Sequence, residues 1–106
     1  RKLIEITNGD FTAKQIKIIK VKKNSILGNH YHPFGQFFYM LKGRGYYSFI
    51  DIDNQETNDY IINEGDRLTI GKRIAHKAFL EEGSITLEGN EEPYTGPECD
   101  IKYEVI

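Results

Sequence analysis

The chain has 106 residues, 39% hydrophobic and 28% charged, the size and balance of a single globular domain rather than of a disordered segment. No apolar run approaches the ~20 residues that a spanning helix needs. A net charge of −2 supplies no field that would gather nucleic acid or anionic lipid, so the expected partner is a small molecule, with no nucleic acid and no membrane.

The predicted elements are strands, short and rich in β-branched and aromatic residues, with Gly, Asn and Asp between them. Residues 2–6 form the first and stop at the turn chemistry of Asn8, Gly9 and Asp10. Residues 14–22, KQIKIIKVK, come next. Their alternating lysines suit an edge strand that must not pair with a neighbouring molecule. Strands then follow at 28–32, 36–41, 45–51, 57–62, 67–70, 76–80, 84–87 and 100–105, with a hairpin tip at Asp53, Asn54, Gln55 and Glu56 and a long loop over 90–98. The connections are too short for crossover helices, so an all-β sandwich or barrel is expected, one domain spanning residues 1–106. Cys99 has no second cysteine to pair with and the N-terminal stretch lacks an apolar signal core, so the expected setting is cytoplasmic.

The chemistry concentrates in three histidines. His30 and His32 flank Tyr31, and residues two apart on a strand point to one face, so both imidazoles can aim at one point. His76 lies on a separate strand that a closed barrel can bring opposite. Three neutral nitrogen donors leave a coordination position open on a divalent ion for water or substrate. A lone His-x-His pair on an edge strand is by itself as readily a surface feature as a ligand pair. No GxSxG elbow, phosphate loop, HExxH helix or cysteine pair offers another chemistry.

The spacing around these histidines resembles that of the cupin family. The first cupin motif is Gly, five residues, His-x-His, three or four residues, Glu, six residues, Gly. Residues 24–43, NSILGNHYHPFGQFFYMLKG, keep His30, His32 and Gly43 in register, with Gln36 where the glutamate belongs. The second motif is Gly, five residues, Pro-x-Gly, two residues, His, three residues, Asn. Residues 65–80, GDRLTIGKRIAHKAFL, keep Gly65 and His76, with Gly71, Arg73 and Leu80 at the positions of the Pro, Gly and Asn. Asn24 replaces the first glycine and is expected to take the same left-handed conformation.

The resemblance implies a small single-domain cupin, a jelly-roll β-barrel (double-stranded β-helix) of the RmlC-like kind. It also implies one divalent transition metal, zinc, nickel or iron, held by His30, His32 and His76. Gln36 is expected either to add a neutral oxygen donor or to bind a metal-held water. Family geometry turns Gln36, Phe38 and Met40 toward the lumen with Ala78 and Leu80, making a largely apolar pocket. Phe37, Tyr39 and Leu41 on the opposite face then need a cover, and a homodimer is expected. Tyr31, Tyr46, Tyr47, Arg44, Arg67 and Arg73 are candidates near the mouth, none with an assigned role, and no catalytic residue is named. The expected function is Lewis-acid isomerase or lyase chemistry, or dioxygenase chemistry, on a small polar organic substrate. A non-catalytic small-ligand or sensor cupin is the alternative. Nucleotide-sugar isomerases and epimerases on the same barrel use a His and a Tyr instead of a metal, and the sequence does not place such a pair.

Overall fold

The computed structural model describes residues 3–93, 96 and 101–103. Among the described residues nine strands run in chain order: β1 Gln15–Lys20, β2 Ser25–Tyr31, β3 Gln36–Lys42, β4 Arg44–Asp51, β5 Thr57–Asn63, β6 Arg67–Ile70, β7 Ile74–Leu80, β8 Ile85–Asn90 and β9 Ile101–Lys102. They form two antiparallel sheets, one ordered β1-β8-β3-β6 and the other β5-β4-β7-β2-β9. Chain neighbours repeatedly fall in opposite sheets, which is the jelly-roll arrangement. No helix among the described residues is long and apolar enough to cross a membrane.

The alternation of apolar and polar residues sets what each strand buries. On β4, Gly45, Tyr47 and Phe49 face inward. On β7, His76, Ala78 and Leu80 do the same. Val21, Phe38, Met40, Tyr47, Phe49, Ile62, Ala78 and Leu80 make one buried cluster between the sheets, extended by Ile19, Leu68, Ile70 and Ile74. The expected hairpin tip is present. Gln55 takes φ 64, and its amide donates to the Asp51 carbonyl at 2.7 Å.

Several expectations change. Residues 3–6 pair with no strand, and Lys2 lies outside the described residues. Of the strand expected at 100–105, Ile101 and Lys102 pair with Tyr31 and His30, while Asp100, Glu104 and Val105 lie outside the described residues, as does Cys99. Asn24 is not left-handed. Its side-chain oxygen instead accepts from the Glu82 amide at 2.8 Å, so a side-chain bond does the work of a glycine turn.

The outer face of β3 is covered by its own chain. Phe37 and Tyr39 are buried, the Phe11 ring meets Phe37 edge-on at 4.9 Å, and Arg67 ties the covering segment down through Asp10 and the Ile6 carbonyl. These aromatics therefore do not require a partner subunit.

Candidate functional site

His30 and His76 are direct cross-strand partners on β2 and β7. The register shifts just before His30, because Gly28 (φ 103) and Asn29 (φ 59) bulge out of the ladder. A Cβ at Gly28 would run into the His76 carbonyl and lie 2.9 Å from the Lys77 Cα, so only glycine lets the two histidine strands approach this closely. His32 follows just past the end of β2, buried and stacked on Phe34 with ring centroids 5.0 Å apart. The three rings gather, with centroid separations of 4.5 Å (His30–His32), 4.7 Å (His30–His76) and 5.5 Å (His32–His76).

One nitrogen from each imidazole lies within 4.8 Å of the others. Ligand nitrogens sit ~2.1 Å from a zinc-sized ion, so two of them can be at most ~4.2 Å apart. Binding one ion would therefore draw the three rings closer than they stand.

Gln36, the first residue of β3, is 2% exposed and stands on the same cavity. Its Nε2 donates to Glu88 Oε1 and to Asn90 Oδ1, each at 2.9 Å, and Asn90 Nδ2 donates onward to Gln15 Oε1 at 2.7 Å. Its Oε1 is buried and accepts no hydrogen bond among the described residues. A buried acceptor without a donor costs about 1–3 kcal/mol. A cation or a ligand hydroxyl would relieve it. Three convergent imidazoles and one orphaned amide oxygen are thus a donor set that fits a divalent transition metal.

The cavity, about 250 Å³, has walls from both sheets. Phe38, Ala78 and Leu80 line it. Met40 does not. It is 1% exposed in the core, and a Cβ at Gly45 would stand 3.3 Å from its Cε. Of the three inward residues of β3, only the first two reach the cavity.

Of the six candidates near the mouth, the structure brings only Tyr47 to the cavity. Burial pushes its phenol well above the ordinary value, and the Glu88 charge adds to the shift. Arg73 pairs with Asp53 and lies over the Tyr31 ring, Arg67 serves the N-terminal segment, and Arg44 and Tyr46 join Glu81 outside.

Sequence reasoning missed Lys17, Thr86, Glu88 and Asn90, which line the wall on the side of β1 and β8. The signal was present. Thr86, Glu88 and Asn90 are polar at period two, but the expected strand ends at residue 87 and the expected loop opens at Asn90. Lys17 lies on an edge strand as expected, yet it turns inward, its Nζ 3.8 Å from Glu88 Oε2. Burial raises the Glu88 carboxyl above its usual range, while Lys17 and the bond from Gln36 pull it back.

No protein-family model matches the sequence, and no curated protein matches it either. Solved structures do match. A 3,4-ketoisomerase from Helicobacter canadensis superposes with a TM-score of 0.76 at 22% identity, over 95% of this chain and 77% of that one. QdtA, a sugar 3,4-ketoisomerase from Thermoanaerobacterium thermosaccharolyticum solved with TDP, gives 0.73 at 25% identity over 87% of this chain. The capsular polysaccharide assembling protein CapF from Staphylococcus aureus gives 0.75 at 18% identity over 86%. The chain has the cupin fold. The chain spans 27% of CapF and 68% of QdtA. Against the cupin motifs, Arg73 (φ 64) takes the left-handed backbone that the family's glycine favours, and its guanidinium donates three hydrogen bonds to Asp53.

Proposed function

We propose that this cupin is a metal-assisted isomerase of a small hydroxy-carbonyl compound. His30, His32 and His76 would hold one divalent ion, zinc, nickel or iron, with Gln36 Oε1 as a neutral fourth donor. The observation that carries this reading is the gathering of three imidazole nitrogens within 4.8 Å on the wall of a cavity. A bound ion would supply Lewis-acid polarisation of a carbonyl or hydroxyl oxygen.

The chain's own residues supply a hydrogen-bond donor and a water-excluding wall for this chemistry. Moving a carbonyl to the adjacent carbon takes one C–H proton away, returns one to the neighbouring carbon and shifts a hydroxyl proton between oxygens. Tyr47, kept protonated by burial, donates a hydrogen bond to a substrate oxygen. Phe38, Ala78 and Leu80 exclude water from the reacting carbons.

A second reading is supported by Tyr47 sharing the cavity with the histidines. A histidine-to-asparagine mutant of QdtA has been solved with TDP-4-keto-6-deoxyglucose. A metal-free keto-sugar isomerase, with imidazole and phenol moving the protons, would use the same walls.

Elemental analysis of the purified protein beside His76→Ala tests the first reading: one equivalent of metal, lost in the variant. Turnover of TDP-4-keto-6-deoxyglucose is then followed with and without a chelator. Conversion abolished by the chelator upholds the metal reading, and conversion that survives it selects the second. Tight binding of a small keto sugar without conversion would make this a sensor or storage cupin, and oxygen uptake with iron would make it a dioxygenase. We further place the protein in the cytoplasm as a homodimer. The dimer is supported by exposed Ile26, Tyr46 and Ile61 on the outer face of the five-stranded sheet.

A further inference from the structure

The first cupin motif places a carboxylate at the position that Gln36 occupies, and a carboxylate stands one strand away. We infer that Glu88, with Asn90, is the positioning residue that turns the Gln36 amide oxygen into the cavity and strengthens it as a donor to a cation. This rests on the metal reading above.

The argument is one of hydrogen-bond polarity. Glu88 Oε1 and Asn90 Oδ1 are both acceptors facing the same Gln36 nitrogen at 2.9 Å. Rotating the amide by half a turn would set its oxygen against two other oxygens, so one orientation survives. Asn90 is fixed in its turn because its own nitrogen is committed to Gln15 Oε1 at 2.7 Å. The register explains why these groups meet. Gln36 pairs with Asn90 and Phe38 with Glu88 across β3 and β8, so both acceptors lie on the inward face of β8 beside the amide.

The consequence is electronic as well as geometric. A carboxylate that accepts from an amide N–H draws the amide toward its charge-separated form and leaves more negative charge on the carbonyl oxygen. That oxygen, Gln36 Oε1, is the buried atom without a donor among the described residues. Lys17, with its ammonium 3.8 Å from the other Glu88 oxygen, supports the carboxylate from behind. The negative charge that the motif normally carries on a ligand is thus retained one bond network further out, where outer-shell partners hold and tune a ligand.

The test uses zinc as the probe and reads its affinity by competition with a chromophoric chelator. Gln36→Ala and Glu88→Ala should each weaken zinc by roughly 10–100-fold. The double variant should be no weaker than either single one, because Glu88 acts through Gln36. Glu88→Gln keeps the packing and removes the charge, and should lose part of the affinity. Exchanging the two groups in Gln36→Glu/Glu88→Gln should restore at least wild-type affinity. A residue needed only for folding would show neither the non-additivity nor the rescue.

Unchanged zinc affinity in Glu88→Ala, or additive losses in the double variant, overturns the inference. If Gln36→Ala binds zinc like the wild type while His76→Ala does not, the inference fails and the metal reading stands. A wild-type protein that binds no zinc, nickel or iron overturns both. A readout in metal-free protein checks the geometry: the Gln36 side-chain NH2 protons should resist solvent exchange in the wild type and lose that protection in Glu88→Ala. Fast exchange in the wild type would overturn the positioning role.

Discussion

At the scale of single residues, Gly28 sets the histidine geometry as firmly as the histidines themselves. Its φ of 103 and the approach of the His76 carbonyl both forbid a side chain. Gly28→Ala should cost about 2–4 kcal/mol, the sum of left-handed strain and overpacking. Urea unfolding measures that loss, and zinc stoichiometry should fall with it because β2 and β7 must separate. The spacing of His30, His32 and His76 was legible in the sequence because side-chain alternation and motif spacing survive in one dimension. The bulge left a weaker mark, since Gly28 followed by Asn29 suits a bulge, a turn or the start of a strand alike. Met40 shows the same limit: alternation gives the face of a residue but not its depth, so a core residue and a cavity residue on one strand look alike.

At the scale of elements, nine of the ten expected strands appear, 67–70 with its expected ends and the others with different ends among the described residues, because each carries its own pattern of buried and exposed positions. The N-terminal segment is the exception. It docks by side chains rather than by a ladder, and period two in residues 2–6 cannot tell these apart. Its anchor is the pair Asp10–Arg67, where a hydrogen bond from the guanidinium is the main cause holding the Asp10 carboxyl down at about 2 against the usual 3.8. A lowered native value means that this contribution is complete above 3.8 and is lost as the pH falls through about 2. Both groups are solvent-exposed at their tips, so salt screens the pair. Protection of the Asn8 amide, which donates to Asp10 Oδ1, taken relative to its intrinsic exchange rate at each pH, should therefore fall between those two pH values. Asp10→Asn should show the fast exchange already at neutral pH, and 1 M salt should shift the wild type toward it.

At the scale of the whole molecule, the candidate site draws its donors from both sheets: His30, His32 and His76 from one, Gln36 from the other. A bound ion then joins the sheets and stabilises only the folded state. At zinc 100-fold above its Kd the gain is about 2.7 kcal/mol, and each kcal/mol moves the Tm of a domain this size by about 4–8 °C. Chelation should lower Tm by roughly 10–20 °C in the wild type and leave His76→Ala unmoved. Residues of one chain line the cavity, and the homodimer proposed above rests on the outside of the five-stranded sheet instead. There the register aligns Ile26, Phe79, Tyr46 and Ile61 in one row across β2, β7, β4 and β5. Ile26 is 63% exposed and Ile61 59%, and the rows on either side carry Lys77, Ser48 and Asp59 or Arg44 and Asn63. An apolar row bordered by polar ones is self-complementary about a two-fold axis, so a second copy of the chain can cover it. Sedimentation should find a dimer that Ile61→Lys converts to monomer, because a charge would be buried at the centre of the row without a partner. The monomeric variant should still bind one equivalent of zinc, since neither the histidines nor Gln36 touch that face. A variant that stays dimeric would place the interface elsewhere, and one that loses its zinc would mean that the cavity needs the partner after all.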